Sequence, residues 1–163
     1  MSGSLALRLA NADILPMKYS AYASDVRTRL EAMKKDAPAG ASLQTTLDAA
    51  AAWGSATRRL EARGARLAAG GLTSGERPEA AKINEAILAQ ERALLTPDGL
   101  PGRPWFKHQV WAPGQTTGYA VLPLPALAEA TEAGDRAAFD KAAADLTRSL
   151  KNATALAEDV LDD

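Results

Sequence analysis

Hydrophobic residues recur at steps of three and four along most of this chain, the spacing of one face of an α-helix. Tyr19, Tyr22, Val26, Leu30 and Met33 predict a first helix over residues 16–35, with Pro16 suited to its first turn. Ala37, Pro38 and Gly40 interrupt it. Leu43, Leu47, Ala50, Trp53, Thr57, Leu60, Gly64 and Leu67 then predict a second helix. Ser42 stands at its start as N-cap, and Gly70 and Gly71 stand at its end. Residues 72–77 read as a polar loop. Pro78 opens a third helix with Ile83, Ile87, Leu94 and either Gln90 or Glu91 on one side. A short helix runs from Pro125 to about residue 133. Asp135 caps the last and longest helix, to about residue 161. Its seam of Phe139, Ala143, Leu146, Leu150, Ala153, Ala157 and Val160 alternates steps of four and three, as in helix bundles.

Two stretches break this pattern. Residues 5–15 alternate loosely up to Pro16 and read as an extended N-terminal segment, giving a division into residues 1–15 and a helical domain over 16–163. Residues 96–124 show no period at all. They hold Pro97, Pro101, Pro104, Pro113 and Pro123, and four of the eight aromatic residues: Trp105, Phe106, Trp111 and Tyr119. A structureless connection of this length is unusual in a compact domain and often functional. Its apolar content argues against a disordered linker. The pattern therefore predicts an all-α, four-helix-type bundle crossed by a long, ordered, proline- and aromatic-rich loop, with Trp105, Phe106 and Trp111 holding the loop down.

Composition sharpens this picture. Hydrophobic residues make up 47% of the 163 positions but aromatics only 5%, so the seams are largely alanine and the helices can approach closely. A formal net charge of −1 with no basic patch argues against a nucleic-acid partner. No apolar run reaches membrane-spanning length, and the first residues lack the basic-then-apolar order of a signal peptide. Cysteine is absent and His108 is the single histidine, so a zinc site of the usual three protein ligands is not expected in this chain.

The candidate chemistry sits in the loop. His108 reads more readily as a hydrogen-bonded structural residue than as a base or ligand, since a general base needs a proton donor within reach. Lys107 and Arg103 are expected to be solvated or paired with carboxylates, although Arg103 could instead contact an anionic group. Glu158, Asp159, Asp162 and Asp163 read as a charged, solvated helix end. The loop itself is either a cross-connection packed on the bundle or a surface presented to a partner. Small-residue faces, Ala49, Ala52 and Ala56 on one long helix and Ala138, Ala142 and Ala153 on another, offer close approach to a second copy. No catalytic residue is identified.

The segment PDGLPGRPWFKHQVWAPGQTTGYA resembles a signature near the C-terminus of glutamate carboxypeptidases and their transferrin-receptor relatives. That signature reads approximately P-x-G-L-P-x-R-P-[FW]-[YF]-[RK]-H-x-[IVL]-[YW]-A-P, then a variable loop and a tyrosine. Arg103, Trp105, His108, Trp111 and Pro113 carry the match. The stretch LALRLANADILP, followed by Tyr19 and Tyr22, is similar to the family's junction between peptidase and helical domains.

The resemblance implies a transferrin-receptor-like dimerisation domain: a helical bundle that pairs with its copy about a two-fold axis and packs on an upstream peptidase domain. It implies zinc in that peptidase domain, no cofactor in this chain, no membrane contact by this segment, and a parent working outside the cytoplasm. In glutamate-preferring members a Lys-Tyr pair after the signature holds the substrate's C-terminal glutamate. Tyr119 matches the tyrosine, while Gly118 stands in place of the lysine. Loss of that cation removes a charge-assisted bond and points to a broader carboxypeptidase or aminopeptidase. A non-catalytic, receptor-like parent and a stand-alone partner-binding bundle remain the alternatives.

Overall fold

A computed structural model of the chain describes residues 2–115 and 120–162. Six helices and one small two-stranded sheet follow in order: α1 Ser2–Ala10, α2 Tyr19–Met33, α3 Gln44–Ala68, α4 Arg77–Ala93, β1 Trp111–Pro113, β2 Val121–Pro123, α5 Pro125–Glu132 and α6 Arg136–Asp162. The fold is an all-α bundle of the four long helices, with α5 as a short fifth member. α3 lies between α2 and α6, and α6 also packs on α4 and α5.

The two periodic seams meet as expected. Trp53, Leu60 and Ala56 on α3 and Phe139, Leu150, Ala153 and Ala157 on α6 are fully or almost fully buried. One apolar cluster centres on Trp53 and Phe139 and extends to Leu30 of α2, Leu127 of α5 and Leu94, Val110 and Leu124 of the loop. A second joins Leu60, Ile83, Ile87 and Ala157 between α3, α4 and α6. Small residues set the helix spacing. A Cβ on Gly54 would lie 3.3 Å from Ala23 Cβ, so α2 and α3 cross almost backbone to backbone.

Trp53 is the buried anchor. Its indole N–H donates to Gln90 Oε1 at 2.8 Å, which satisfies the polar atom that burial would otherwise leave dry. Tyr22 packs edge-on to it with ring centroids 5.6 Å apart.

Some helix ends follow the sequence signals, but α2 starts at Tyr19, beyond Pro16, and the residue at the α3 N-cap is Leu43 and not Ser42. Asp135 Oδ1 accepts from the Ala138 amide at 2.9 Å, capping α6. Ser42 Oγ accepts from Gln44 N at 3.2 Å just ahead of α3. Gly71 takes a positive φ of 75° just after α3 ends. The α2 N-terminus is capped from another helix: the Glu61 carboxylate accepts from Ser20 N and Ser20 Oγ, both at 2.8 Å.

One expectation fails. Residues 2–10 form helix α1 and not part of an extended segment. Leu, Ala and Arg fill this stretch, and all three favour helix. Its apparent period of two is too short to outweigh that propensity. The residues from 11 to 18 follow as turn, bend and irregular backbone. Asn84 of α4 pins them by accepting from Leu15 N at 2.8 Å and donating to Asp13 O at 2.9 Å.

Candidate functional site

The connection from α4 to α5 is ordered by its own backbone. Thr96 N donates to Lys107 O at 2.8 Å, Leu100 N to Phe106 O at 2.8 Å, and Gln109 N to Leu94 O at 3.1 Å. These bonds close residues 94–109 into a lobe. Its turns need glycine: Gly99 has φ +72° and Gly102 φ +69°. A Cβ on Gly99 would also sit 2.3 Å from Pro104 O. The chain then enters a hairpin in which β1 and β2 pair antiparallel, Trp111 opposite Pro123 and Pro113 opposite Val121. Leu124 N donates to Val110 O at 2.8 Å at the hairpin base. Leu124 is buried with φ +50°, a left-handed conformation in which its side chain reaches the core.

Arg103 ties the lobe to α5. Its guanidinium donates to the Glu129 carboxylate and to the Pro113 carbonyl, and its side chain is 7% exposed. Of the readings open for Arg103, carboxylate pairing is the one realised. The pair is not bidentate: Arg103 Nε and Glu129 Oε2 are both buried without a hydrogen-bond partner among the described residues. Lys107 donates to the Pro97 carbonyl within the lobe.

His108 is held on both sides. Nε2 lies 2.9 Å from Glu91 Oε1 of α4. Nδ1 accepts from the amides of Val110 and Trp111, each at 3.1 Å. The proton therefore resides on Nε2, and the one lone pair is occupied by the backbone. Glu91 on one side and the two amides on the other thus engage both ring nitrogens. Among the described residues no three His, Asp or Glu side chains converge as a metal site. No helix there is long and apolar enough to cross a membrane.

The aromatic residues divide unexpectedly. Trp111 is half-buried against the main apolar cluster, with the Arg29 guanidinium 4.5 Å from its ring centroid. Phe106 is half-buried. Trp105, expected to hold the loop down, is 69% exposed and touches Phe106 with ring centroids 6.1 Å apart. Trp105 therefore does not hold the loop onto the bundle, contrary to the expectation from its size and apolar character. Two phenols beside Glu91 also matter. Burial first, and the Glu91 charge second, push the Tyr19 and Tyr22 hydroxyls above the ordinary tyrosine range. Gly118 and Tyr119 lie outside the described residues.

Glu91 and Glu129 emerge as the two carboxylates on which the loop rests. Sequence reasoning placed Glu91 on one side of α4 without a partner and gave Glu129 no role. Their partners lie 17 and 26 residues away, beyond any helical period. Between the lobe and α5–α6 runs a largely apolar cleft of about 420 Å³, walled by Leu100, Pro104, Leu127, Ala142 and Leu146.

The bundle and its signature loop have counterparts among known proteins. The chain is 26% identical over 131 residues to a probable glutamate carboxypeptidase of Arabidopsis thaliana, covering 80% of this chain and 18% of that protein. It is 29% identical over 129 residues to a probable glutamate carboxypeptidase of Zea mays, covering 78% and 18%. It is 28% identical over 133 residues to an aminopeptidase of Rattus norvegicus, covering 79% and 17%. The chain thus spans less than a fifth of the length of these relatives. Residues 41–158, from α3 through the loop and nearly to the end of α6, match the transferrin receptor-like dimerisation domain, and the chain belongs to that family.

Proposed function

We propose that this chain is the homodimerisation module of a larger zinc-dependent exopeptidase, and that its loop packs on the peptidase domain and helps to close the substrate pocket. The exposure of Trp105 carries the second half of this reading. A large aromatic at 69% exposure in the middle of the signature loop is the kind of anchor that a partner surface buries. Zinc belongs to the peptidase domain in this reading, because the donors here do not fit it.

The alanine faces expected to serve a second copy are partly used within the monomer. Ala49, Ala56 and Ala153 are buried in the bundle's own seams. A better candidate for pairing is the shallow cleft of Met17, Tyr19, Tyr22 and Leu88, where Met17 is 38% and Leu88 47% exposed. A two-fold contact places such a patch against itself.

Light scattering at micromolar concentration tests dimerisation: twice the 17.1 kDa chain mass is expected, and a mass of 17.1 kDa rejects it. Leu88→Arg should return the dimer to monomer. In the full-length protein, Trp105→Ala should lower kcat/KM at least tenfold while leaving the stability of this domain unchanged. Unaltered kinetics would remove the loop from the pocket. Gly118 in place of a lysine supports a peptidase with little preference for a second carboxylate. Dipeptides ending in glutamate and in leucine should be cleaved by the full-length protein at rates within about tenfold of each other, a difference of about 1.4 kcal/mol.

A further inference from the structure

We propose that His108 is a proton-operated latch on the β1–β2 hairpin. The geometry makes this inference specific. Nδ1 accepts two consecutive backbone amides, Val110 and Trp111, at the point where the chain enters β1. Both bonds need the Nδ1 lone pair. Neutral imidazole has one such pair, and imidazolium has none. A proton taken from solvent must go to Nδ1, because Nε2 already carries a hydrogen directed at Glu91. Protonation therefore converts the acceptor of two amides into a donor that faces two donors.

Groups from three segments face the ring. Glu91 of α4 lies 2.9 Å from Nε2. On the α2 side, Tyr19 and Tyr22 flank Glu91; both phenols are raised and stay neutral where histidine titrates, between about pH 5 and 8. Arg29 of α2 lies over Trp111 and opposes a second cation nearby. Lys107, next in the chain, is turned away onto the Pro97 carbonyl. The His108 side chain is 20% exposed, so solvent protons reach it.

Release at Nδ1 acts on the hairpin and spares the bundle. Val110 is the hairpin's base, since its carbonyl receives Leu124 N. The α3–α6 and α3–α4 seams around Leu60, Ile83 and Ala157 do not include hairpin residues. Imidazolium stays attached to α4 through Glu91, so the ring itself does not leave. The β1–β2 pairing is then free to change register or fray at its base. The latch requires only the 163-residue chain, so it is testable apart from dimerisation or peptidase activity.

The test is amide hydrogen exchange of the whole chain, read as protection factors at pH 7.5 and 5.0. Core amides of Trp53 and Leu60 serve as the reference for global stability. Protection of Val110 and Trp111, relative to that reference, should fall at least tenfold at the lower pH. His108→Asn keeps an acceptor oxygen near the Nδ1 position and cannot titrate, so its protection should not depend on pH. His108→Phe offers neither a donor nor an acceptor, so the two amides should be unprotected at both values. Imidazole ¹⁵N shifts of the unsubstituted chain follow the ring directly. The proposal is overturned if Nδ1 gains its proton with the two amides still protected, if the ring stays neutral down to pH 5.0, or if His108→Asn responds to pH as the parent does.

Discussion

Replacing Arg103 by methionine removes a guanidinium that is 7% exposed and strands the carboxylate of Glu129, whose side chain is 17% exposed. Breaking a buried ion pair from one side typically costs about 3–5 kcal/mol, because the remaining charge is left without compensation. Glu129 keeps some contact with solvent, so we expect about 2–3 kcal/mol from this source. The Pro113 carbonyl also loses its donor, adding about 1 kcal/mol. Glu129→Leu leaves the more deeply buried partner uncompensated and should cost at least as much as Arg103→Met. The double variant behaves differently. Arg103 Nε and Glu129 Oε2 are each buried without a partner, so the native pair recovers only part of its desolvation. Methionine and leucine need no such compensation, and the double variant should lie within about 1 kcal/mol of the parent. Urea unfolding followed by far-ultraviolet circular dichroism and by tryptophan fluorescence gives all four stabilities, and coincident transitions validate the two-state treatment. A cost below about 1 kcal/mol for Arg103→Met, or additive costs in the double variant, would refute the reasoning.

Three further outcomes follow from the same geometry. Trp105→Ala should change the stability of the chain by less than about 0.5 kcal/mol, whereas Trp53→Ala, at a fully buried site, should cost about 3–5 kcal/mol in the same denaturation assay. Gly99→Ala combines a φ of +72° with a Cβ 2.3 Å from Pro104 O, so it should destabilise by more than about 2 kcal/mol and abolish exchange protection at Leu100 N. Burial pushes the Asp145 carboxyl upward, but hydrogen bonds from Lys141 and Arg148 outweigh it and hold it below the ordinary range. A folded value below the unfolded one gives stability that is present above about pH 4 and lost as pH falls towards the folded value, so Asp145→Asn should flatten that part of the stability curve.

Where a helix buries a full stripe, the sequence pattern is sufficient. On α3 and α6 most positions read as seams are buried, with Leu67 and Val160 only partly so, and Asp135 caps α6 as expected. At α1 the pattern misleads. Five residues alternating between leucine and smaller or charged side chains satisfy a period of two by accident, and nothing in Leu, Ala or Arg prefers a strand. The strands that do form, Trp111–Pro113 and Val121–Pro123, are three residues each and contain proline, too short and too irregular to show a period. The loop's order was legible from its apolar content. Its means of support was not, since Glu91, Glu129 and the Val110 and Trp111 amides are acceptors and donors that any surface residue also carries. Only the fold, by setting α4 and α5 on either side of the lobe, selects them.

The same distinction bears on where a second copy can bind. Alanine on a long helix lets another helix approach, but it does not say whether that helix belongs to the same chain. The monomer uses the close approach itself: Gly54 meets Ala23 across α2 and α3, while Ala56, Ala153 and Ala157 fill the seams of α3 and α6. Small residues are thus consumed where the bundle is thinnest. The large hydrophobic side chains exposed among the described residues are Leu7, Met17, Leu88, Leu95, Trp105 and Val121; of these, Met17 and Leu88 share one cleft beside α2 and α4, and Trp105 projects from the lobe. These are chemically different surfaces. The first is a shallow apolar cleft with two phenols and suits a self-matched contact. The second is a single projecting indole and suits a concave partner.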